Sequence, residues 1–262
     1  MAMMNPFEQQ KKIEGVRHIV AVGSGKGGVG KSTVAANLAV SLSRQGQKVG
    51  LLDADIYGPS VPHIMGLTKL RPNVNAQKKI EPLVSHGLKT MSIGYLVDDQ
   101  SAIIWRGPML FKAMDQFIRD VEWGELDILL VDLPPGTGDV QLSLVQKVPV
   151  SGAIIVSTPQ DTALLDVRRC VDMFNKVKTP ILGLVENMST FQCPHCHEST
   201  PLFEKGKLHA FCEEKKIAIL AEIPFTPAIG VSGEQGEPYA FKKTDEKEFY
   251  GAATKLIELL KI

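Results

Sequence analysis

One loop constrains this chain more than any other feature: Gly25-Lys26-Gly27-Gly28-Val29-Gly30-Lys31-Ser32-Thr33. The apolar run before it, His18 to Val22, reads as a strand, and Val34 to Leu42 after it reads as a helix. Strand, glycine loop and helix start are the setting of a phosphate-binding loop. Glycines let backbone N–H groups turn inward around phosphate oxygens, and a helix N-terminus adds positive potential. In that setting Lys31 reaches the β- and γ-phosphates and the Ser32 hydroxyl binds Mg²⁺. Lys26 is a second lysine, early in the same loop. A competing pattern shares these letters: Gly23, Gly25 and Gly28 satisfy G-x-G-x-x-G, and Asp53 ends the next strand-like run, as in a dinucleotide fold. Gly30-Lys31-Ser32 and a second acidic strand end, Asp132, fit a triphosphate with Mg²⁺ better.

Two acidic segments extend the pattern. In Asp53-Ala54-Asp55-Ile56-Tyr57-Gly58-Pro59-Ser60, two acids stand two residues apart just past a strand. Asp53 is placed to hold Mg²⁺-bound water and Asp55 to orient an attacking water. The plainer alternative is that one acid caps the short helix that follows, Asp55 more readily than Asp53. Ile128 to Asp132, followed by Leu133-Pro134-Pro135-Gly136-Thr137-Gly138-Asp139, is an apolar strand ending in an acid. That is a Walker B arrangement, with Asp132 near Mg²⁺. Gly136 lacks a Cβ, so its N–H can approach a γ-phosphate.

The rest of the chain bounds the architecture. It has 262 residues, 44% of them hydrophobic, enough for one large core or at most two domains. Strand-like runs at Lys48–Asp53, Asp127–Asp132, Gly152–Ser157 and Ile181–Glu186 alternate with helical patterns near 141–146 and 162–176. Further along, 208–223 reads as helix then strand, and 245–262 as a terminal helix. Runs near 80–84 and 88–93 suggest a small hairpin or added edge, and Met109, Leu110, Met114, Phe117 and Ile118 fall at helical spacing. The expectation is α/β: a doubly wound, mostly parallel sheet with helices on both faces. Residues 1–16 are expected to form a flexible segment and 17–262 a single P-loop ATPase domain. Within it, 189–205 has neither helical nor strand period and reads as an inserted loop.

Lys+Arg and Asp+Glu balance at 29 each, so no global field draws the protein to nucleic acid or anionic lipid. No apolar run reaches membrane-span length, and no signal-peptide core is visible at the start. The expectation is a cytoplasmic protein with no nucleic-acid or membrane partner. The four cysteines then read as metal or redox chemistry before disulfides.

The loop Lys26-Gly27-Gly28-Val29-Gly30-Lys31-Ser32 resembles the deviant Walker A motif of the SIMIBI-class ATPases, which include the MinD, ParA and nitrogenase iron-protein groups. In that class ATP is sandwiched between two subunits. The resemblance implies that Lys26 crosses to the partner's phosphates, that Asp55 positions water, and that Asp53 and Asp132 attend Mg²⁺. It also implies that Asn187 contacts adenine and that the region around Ile223-Pro224-Phe225 flanks the base.

Cys193-Pro194-His195-Cys196-His197 supports four readings. A thioredoxin-type pair needs a dedicated fold that a short loop does not supply. C-x-x-C-H also spells c-type haem attachment, which needs export. A structural zinc loop would take further ligands from His195, His197 or Cys212. Two chains could each donate one pair to a four-cysteine iron–sulfur site. Cys170 and Cys212 fall in helical runs and read as buried thiols.

Deviant Walker A, D-A-D-I-Y-G-P-S, D-L-P-P-G-T-G-D and E-N-M-S-x-F-x-C-P-x-C together resemble the Mrp/ApbC/Nbp-type iron–sulfur carrier ATPases, from about Val20 to Phe241. That resemblance implies a homodimeric, slow ATPase that holds a labile cluster, taken as [4Fe-4S], between subunits on Cys193 and Cys196. It implies transfer of the cluster to apoproteins, with zinc as a substitute metal. Many relatives follow the cysteine pair with a glycine and an Ile-Phe-Gly turn. Here the stretch is His197-Glu198-Ser199-Thr200-Pro201-Leu202-Phe203-Glu204. The rivals are a MinD- or ParA-like positioning ATPase with a structural zinc loop, and a reductase like the nitrogenase iron protein. For the first, the terminal run Leu256, Ile257, Leu259, Leu260, Ile262 would be a membrane-seeking face; a helix packed on the sheet is the competing expectation.

Overall fold

The computed structural model describes residues 10, 12–96, 116–193, 195–196, 198–203, 206–242 and 247–262. Among the described residues, nine strands form one sheet: β1 Val16–Gly23, β2 Val49–Asp53, β3 Leu83–Ser85, β4 Leu88–Ser92, β5 Leu126–Asp132, β6 Gly152–Ser157, β7 Ile181–Gln192, β8 Ser199–Pro201 and β9 Ile219–Phe225. Their order is β3-β4-β2-β5-β1-β6-β7-β8, with β9 also on β7. The pairs are parallel except β3 with β4 and β7 with β8. Every residue of β2 and of β6 is buried, so both faces of the central sheet are covered. Their continuous apolar sequences, rather than alternating ones, are what two covered faces require.

The helices are α1 Lys31–Arg44, α2 Val61–Ile64, α3 Asp139–Lys147, α4 Asp161–Lys176, α5 Lys207–Lys215, α6 Pro227–Glu234, α7 Tyr239–Lys242 and α8 Lys247–Leu260. In α1 the residues from Val34 to Leu42 are all buried. Its alanines at 35, 36 and 39 permit close approach to the sheet, while Leu38 and Leu42 fill the core. Helix α4 buries Ala163, Val167, Cys170, Val171 and Phe174, spaced as one face of a helix, against β6. Helix α8 packs on α1 and β9, burying Leu256 completely and nearly burying Leu260. That is the packed-helix alternative for the terminal run, although Leu259 stays exposed. Among the described residues no helix is long and apolar enough to cross a membrane.

One expectation changes, and another lies largely outside the described residues. The stretch 189–205 is not an irregular loop: β7 runs on to Gln192 and β8 returns antiparallel, pairing Thr190 with Pro201 and Gln192 with Ser199. A short polar hairpin has too few alternating apolar residues to announce itself, and its ladder depends on β7 continuing past the core. The helix read from Met109 to Ile118 is described only over 116–119, where Phe117 and Ile118 are buried; Met109, Leu110 and Met114 lie outside the described residues.

Candidate functional site

Strand register assembles the site. Parallel pairing sets Val22 beside Asp132 and Asp53 beside Asp132, so β1, β5 and β2 end at one level. The loop between β1 and α1 leaves from that level. It is held from three sides. The Gly136 N–H donates to the Ser24 carbonyl (2.9 Å), tying the loop to the turn after β5. Gly25 lies against the backbone of Asp166 in α4, where an added Cβ would come within 2.3 Å of its carbonyl. Asn187 Nδ2, at the end of the β7 core, donates to the Val29 carbonyl (2.9 Å).

Within the loop, Gly28 and Gly30 take left-handed φ values of 78° and 81°, a conformation that glycine adopts without a Cβ penalty. Gly30 is the residue before α1, and no side chain caps that helix. Its first-turn N–H groups are therefore available to an anion, and no acid in the turn opposes one. Beta carbons placed on Gly27 or Gly28 would meet nothing within 4 Å. This open cradle forms part of a cleft of about 230 Å³ that also contains Lys26, Lys31, Ser32, Thr33 and Asp55. A larger cleft of about 610 Å³, lined by Gly15, Lys79, Trp123 and Lys147 among others, contains none of the loop residues. It lies toward the amino ends of β1 and β5, away from the carboxyl ends where open α/β sheets bind ligands.

Three charged groups sit under the loop. Lys31 Nζ lies 2.6 Å from Asp132 Oδ1 and 3.2 Å from Ser32 Oγ. Asp132 is completely buried, and its Oδ2 has no hydrogen-bond partner. A buried acceptor left unpaired is costly, and a divalent cation would satisfy it; the Asp132–Ser32 neighbourhood therefore fits Mg²⁺. Burial raises the Asp132 carboxyl above its ordinary range, with Lys31 pulling the other way. Burial also raises Asp53, and the Asp132 charge pushes it further.

Asp53 is engaged by the protein itself. Its Oδ1 accepts from the Asp55 N–H (3.0 Å), and its Oδ2 accepts from the Val61 N–H (3.2 Å) and the Ser92 hydroxyl (3.0 Å). The start of α2, considered more readily for Asp55, is thus met by Asp53, whereas Asp55 accepts from the Gly58 and Tyr57 N–H groups of the turn that follows it. Asp55 is half-buried at the cleft wall, where burial raises its carboxyl and Lys31 opposes the shift. Lys26 donates to Gln160 Oε1 (3.0 Å) within the same chain.

Asn187 and Pro224 were both tied to adenine by resemblance. Asn187 is buried with its amide committed to Val29, and Pro224 is half-buried near the end of β9. Sequence reading passed over Gln141, whose amide donates to the Pro134 and Pro135 carbonyls (3.1 and 2.7 Å) and fixes the turn before α3. It also passed over Ser92 and Gln160. Neither carried a usable signal: Ser92 stands in a run that also contains Lys89 and Thr90.

Cys193 follows β7 directly, and its N–H donates to the Glu198 carbonyl (3.0 Å). The backbone N–H groups of Cys196 and His195, with the Cys196 side chain, hold the Cys193 thiol below its ordinary range. Cys196 is exposed, and Cys170 and Cys212 are buried. Burial pushes Cys170 up to about 12 and Cys212 up to about 11. Among the described residues, neither His195 nor Cys212 joins the pair in a three-ligand cluster; Pro194 and His197 lie outside them.

A family model described as ParA, NUBPL iron-transfer P-loop NTPase, matches residues 15–260. This chain belongs to that family. The iron-sulfur cluster carrier protein of Aquifex aeolicus (strain VF5) is 51% identical over 243 residues, covering 92% of this chain and 67% of that protein. The iron-sulfur cluster transfer protein NUBPL of Mus musculus is 44% identical over 264 residues, covering 99% of this chain and 82% of that protein. Among solved structures, a nucleotide-binding protein in complex with ADP from Archaeoglobus fulgidus, described with cobalt, superposes with a TM-score of 0.80 at 40% identity, covering 95% of this chain and 98% of that one. The cell division ATPase MinD of Pyrococcus furiosus superposes with a TM-score of 0.67 at 23% identity, covering 92% and 99%. At that identity it shows a shared fold alone.

Proposed function

We propose that this protein is an ATP-dependent iron–sulfur cluster carrier of the cytoplasm. Two copies hold one labile cluster, of the [4Fe-4S] type, on Cys193 and Cys196 of each chain and pass it to apoproteins. The observation that carries this reading is that one strand serves both ends of the chemistry: β7 positions the phosphate loop through Asn187 and ends beside Cys193. A change at the nucleotide therefore has a short covalent path to the cysteines. The carrier names of relatives at 44 and 51% identity support the cargo.

In the nucleotide cleft the α1 N-terminus and the glycine loop hold phosphate oxygens, and Lys31 neutralises the β- and γ-phosphates. Ser32 and Asp132 would hold Mg²⁺, which when bound would neutralise charge on the phosphate oxygens. Asp53, expected from the sequence to act there through water, has its oxygens taken by the Asp55 and Val61 N–H groups and the Ser92 hydroxyl and supports the site from behind. Asp55 orients the attacking water; the Gly136 N–H, expected from the sequence to approach a γ-phosphate, is instead engaged by the Ser24 carbonyl and ties the turn after β5 to the phosphate loop. Lys26 leaves Gln160 and reaches the phosphates bound by the partner copy. Positioning and charge neutralisation are the main catalytic demands of such a transfer.

The cluster is cargo. One chain supplies two adjacent thiols, and an iron–sulfur cluster takes four, so two-fold symmetry supplies the second pair. The test is anaerobic reconstitution followed by iron, sulfide and mass measurement. One cluster per dimer, absent from Cys193→Ser and Cys196→Ser, is the expected result, together with transfer to an apo-acceptor. A tightly bound zinc at one per monomer, with no iron or sulfide uptake, would overturn the carrier reading.

A further inference from the structure

A second group of potential metal ligands lies apart from the nucleotide cleft and the cysteine pair. Glu186 in β7 and Glu222 in β9 are register partners on neighbouring parallel strands, so their side chains leave the same face side by side. Like charges directly opposite in a sheet are destabilising. His209 on α5 faces both of them, with Nε2 2.6 Å from Glu186 Oε2 and 3.9 Å from Glu222 Oε1.

Glu186 is completely buried, and its Oε1 has no hydrogen-bond partner. An ion pair with His209 alone would leave that buried oxygen unsatisfied, at a cost in stability. The three ligand atoms all lie within 4.8 Å of one another. Ligands of a tetrahedral cation at about 2.0–2.2 Å stand roughly 3.3–3.6 Å apart, so the observed separations bracket the required ones. Glu222 is partly exposed, which leaves room for water as a further ligand.

We infer that Glu186, His209 and Glu222 bind a divalent cation of the zinc class. One imidazole and two carboxylates suit Zn²⁺, and a partly open three-ligand site matches its four-coordinate preference. The cation cancels the repulsion between the paired glutamates and satisfies Glu186 Oε1. It also ties β7 to α5, the elements on either side of the segment that carries Cys193 and Cys196. The site thereby braces the base of that segment without using its thiols.

The test uses Zn²⁺ itself on the full chain with Cys193→Ser and Cys196→Ser, which removes competing thiolates. Equilibrium dialysis is expected to find one Zn²⁺ per chain. Adding Glu222→Ala or His209→Ala should weaken binding roughly 100-fold or more, beyond the loss brought by an outer-shell partner. Glu222 is the safer change because it is partly exposed, and retained ATP binding verifies the fold. Co²⁺ in place of Zn²⁺ should give ligand-field bands without thiolate charge transfer. No Zn²⁺ bound by the double serine variant, unchanged binding after both further substitutions, or a thiolate band with Co²⁺ would each overturn the site. Iron and sulfide uptake by the unaltered cysteines tests the carrier reading separately.

Discussion

Asp53 and Asp132 stand side by side as register partners at the carboxyl ends of β2 and β5, both completely buried, and Lys31 makes its ion pair with Asp132. Asp53 instead has its oxygens filled by two N–H groups and the Ser92 hydroxyl. The two acids are therefore unequal: Asp132 keeps an unsatisfied oxygen for a cation, and Asp53 organises the backbone around it.

Lys31→Ala is expected to weaken ATP binding roughly tenfold or more, since a charge-assisted phosphate contact contributes about 1.5–3 kcal/mol. It should also lower stability in the absence of nucleotide, because two buried carboxylates lose their cation. Titration with ATP and a thermal melt read the two effects; unchanged affinity would remove Lys31 from the site.

Asp55→Asn should retain MgATP while phosphate release falls by about 100-fold or more, the range for loss of a positioned catalytic group. The carboxylate is half-buried at the cleft wall and accepts from the Gly58 and Tyr57 backbone N–H groups, bonds that the amide oxygen of asparagine can also accept. Lys26→Ala should bind nucleotide and fail in turnover. Normal steady-state phosphate release would exclude either residue from the mechanism.

Asn187→Ala removes the bond to the Val29 carbonyl, a loss of about 0.5–1.5 kcal/mol in holding the loop. If Asn187 acts by positioning the phosphate loop, ATP and GTP affinities fall together. If it reads adenine, ATP affinity falls and GTP affinity does not. Paired titrations with the two nucleotides separate these outcomes, and the geometry favours the first.

Alkylation should sort the cysteines by pH. The Cys193 thiol is held below its ordinary range by neighbouring N–H groups, so its thiolate persists at lower pH. The thiolate is the nucleophile, so Cys193 should react with iodoacetamide already near neutrality, and faster as pH rises. Cys170 and Cys212, pushed up to about 12 and about 11 by burial, should stay unmodified until the protein unfolds. Early modification of Cys170 or Cys212, followed by peptide mass mapping, would contradict the burial that separates the pairs.

Local chemistry was legible in the residues. Gly25 to Thr33, the strand-ending acids Asp53 and Asp132, and the pair Cys193 and Cys196 each carry their signal in a few neighbouring letters, because glycine freedom, strand ends and C-x-x-C spacing are short-range properties. The alternation of apolar runs and helical patterns likewise announced a parallel sheet, since covered strands must be apolar throughout. What only the tertiary structure decided are the meetings between distant segments. Register between β2, β5 and β1 brought Asp53, Asp132 and the loop to one level. The fold brought Asp53 to the start of α2, committed Asn187 to Val29, and turned the cysteine segment into a hairpin on β7. It also set Glu186 beside Glu222 and His209, three residues whose spacing in the chain announces nothing. Such contacts depend on strand order and register, which packing of the whole core selects and no local pattern encodes.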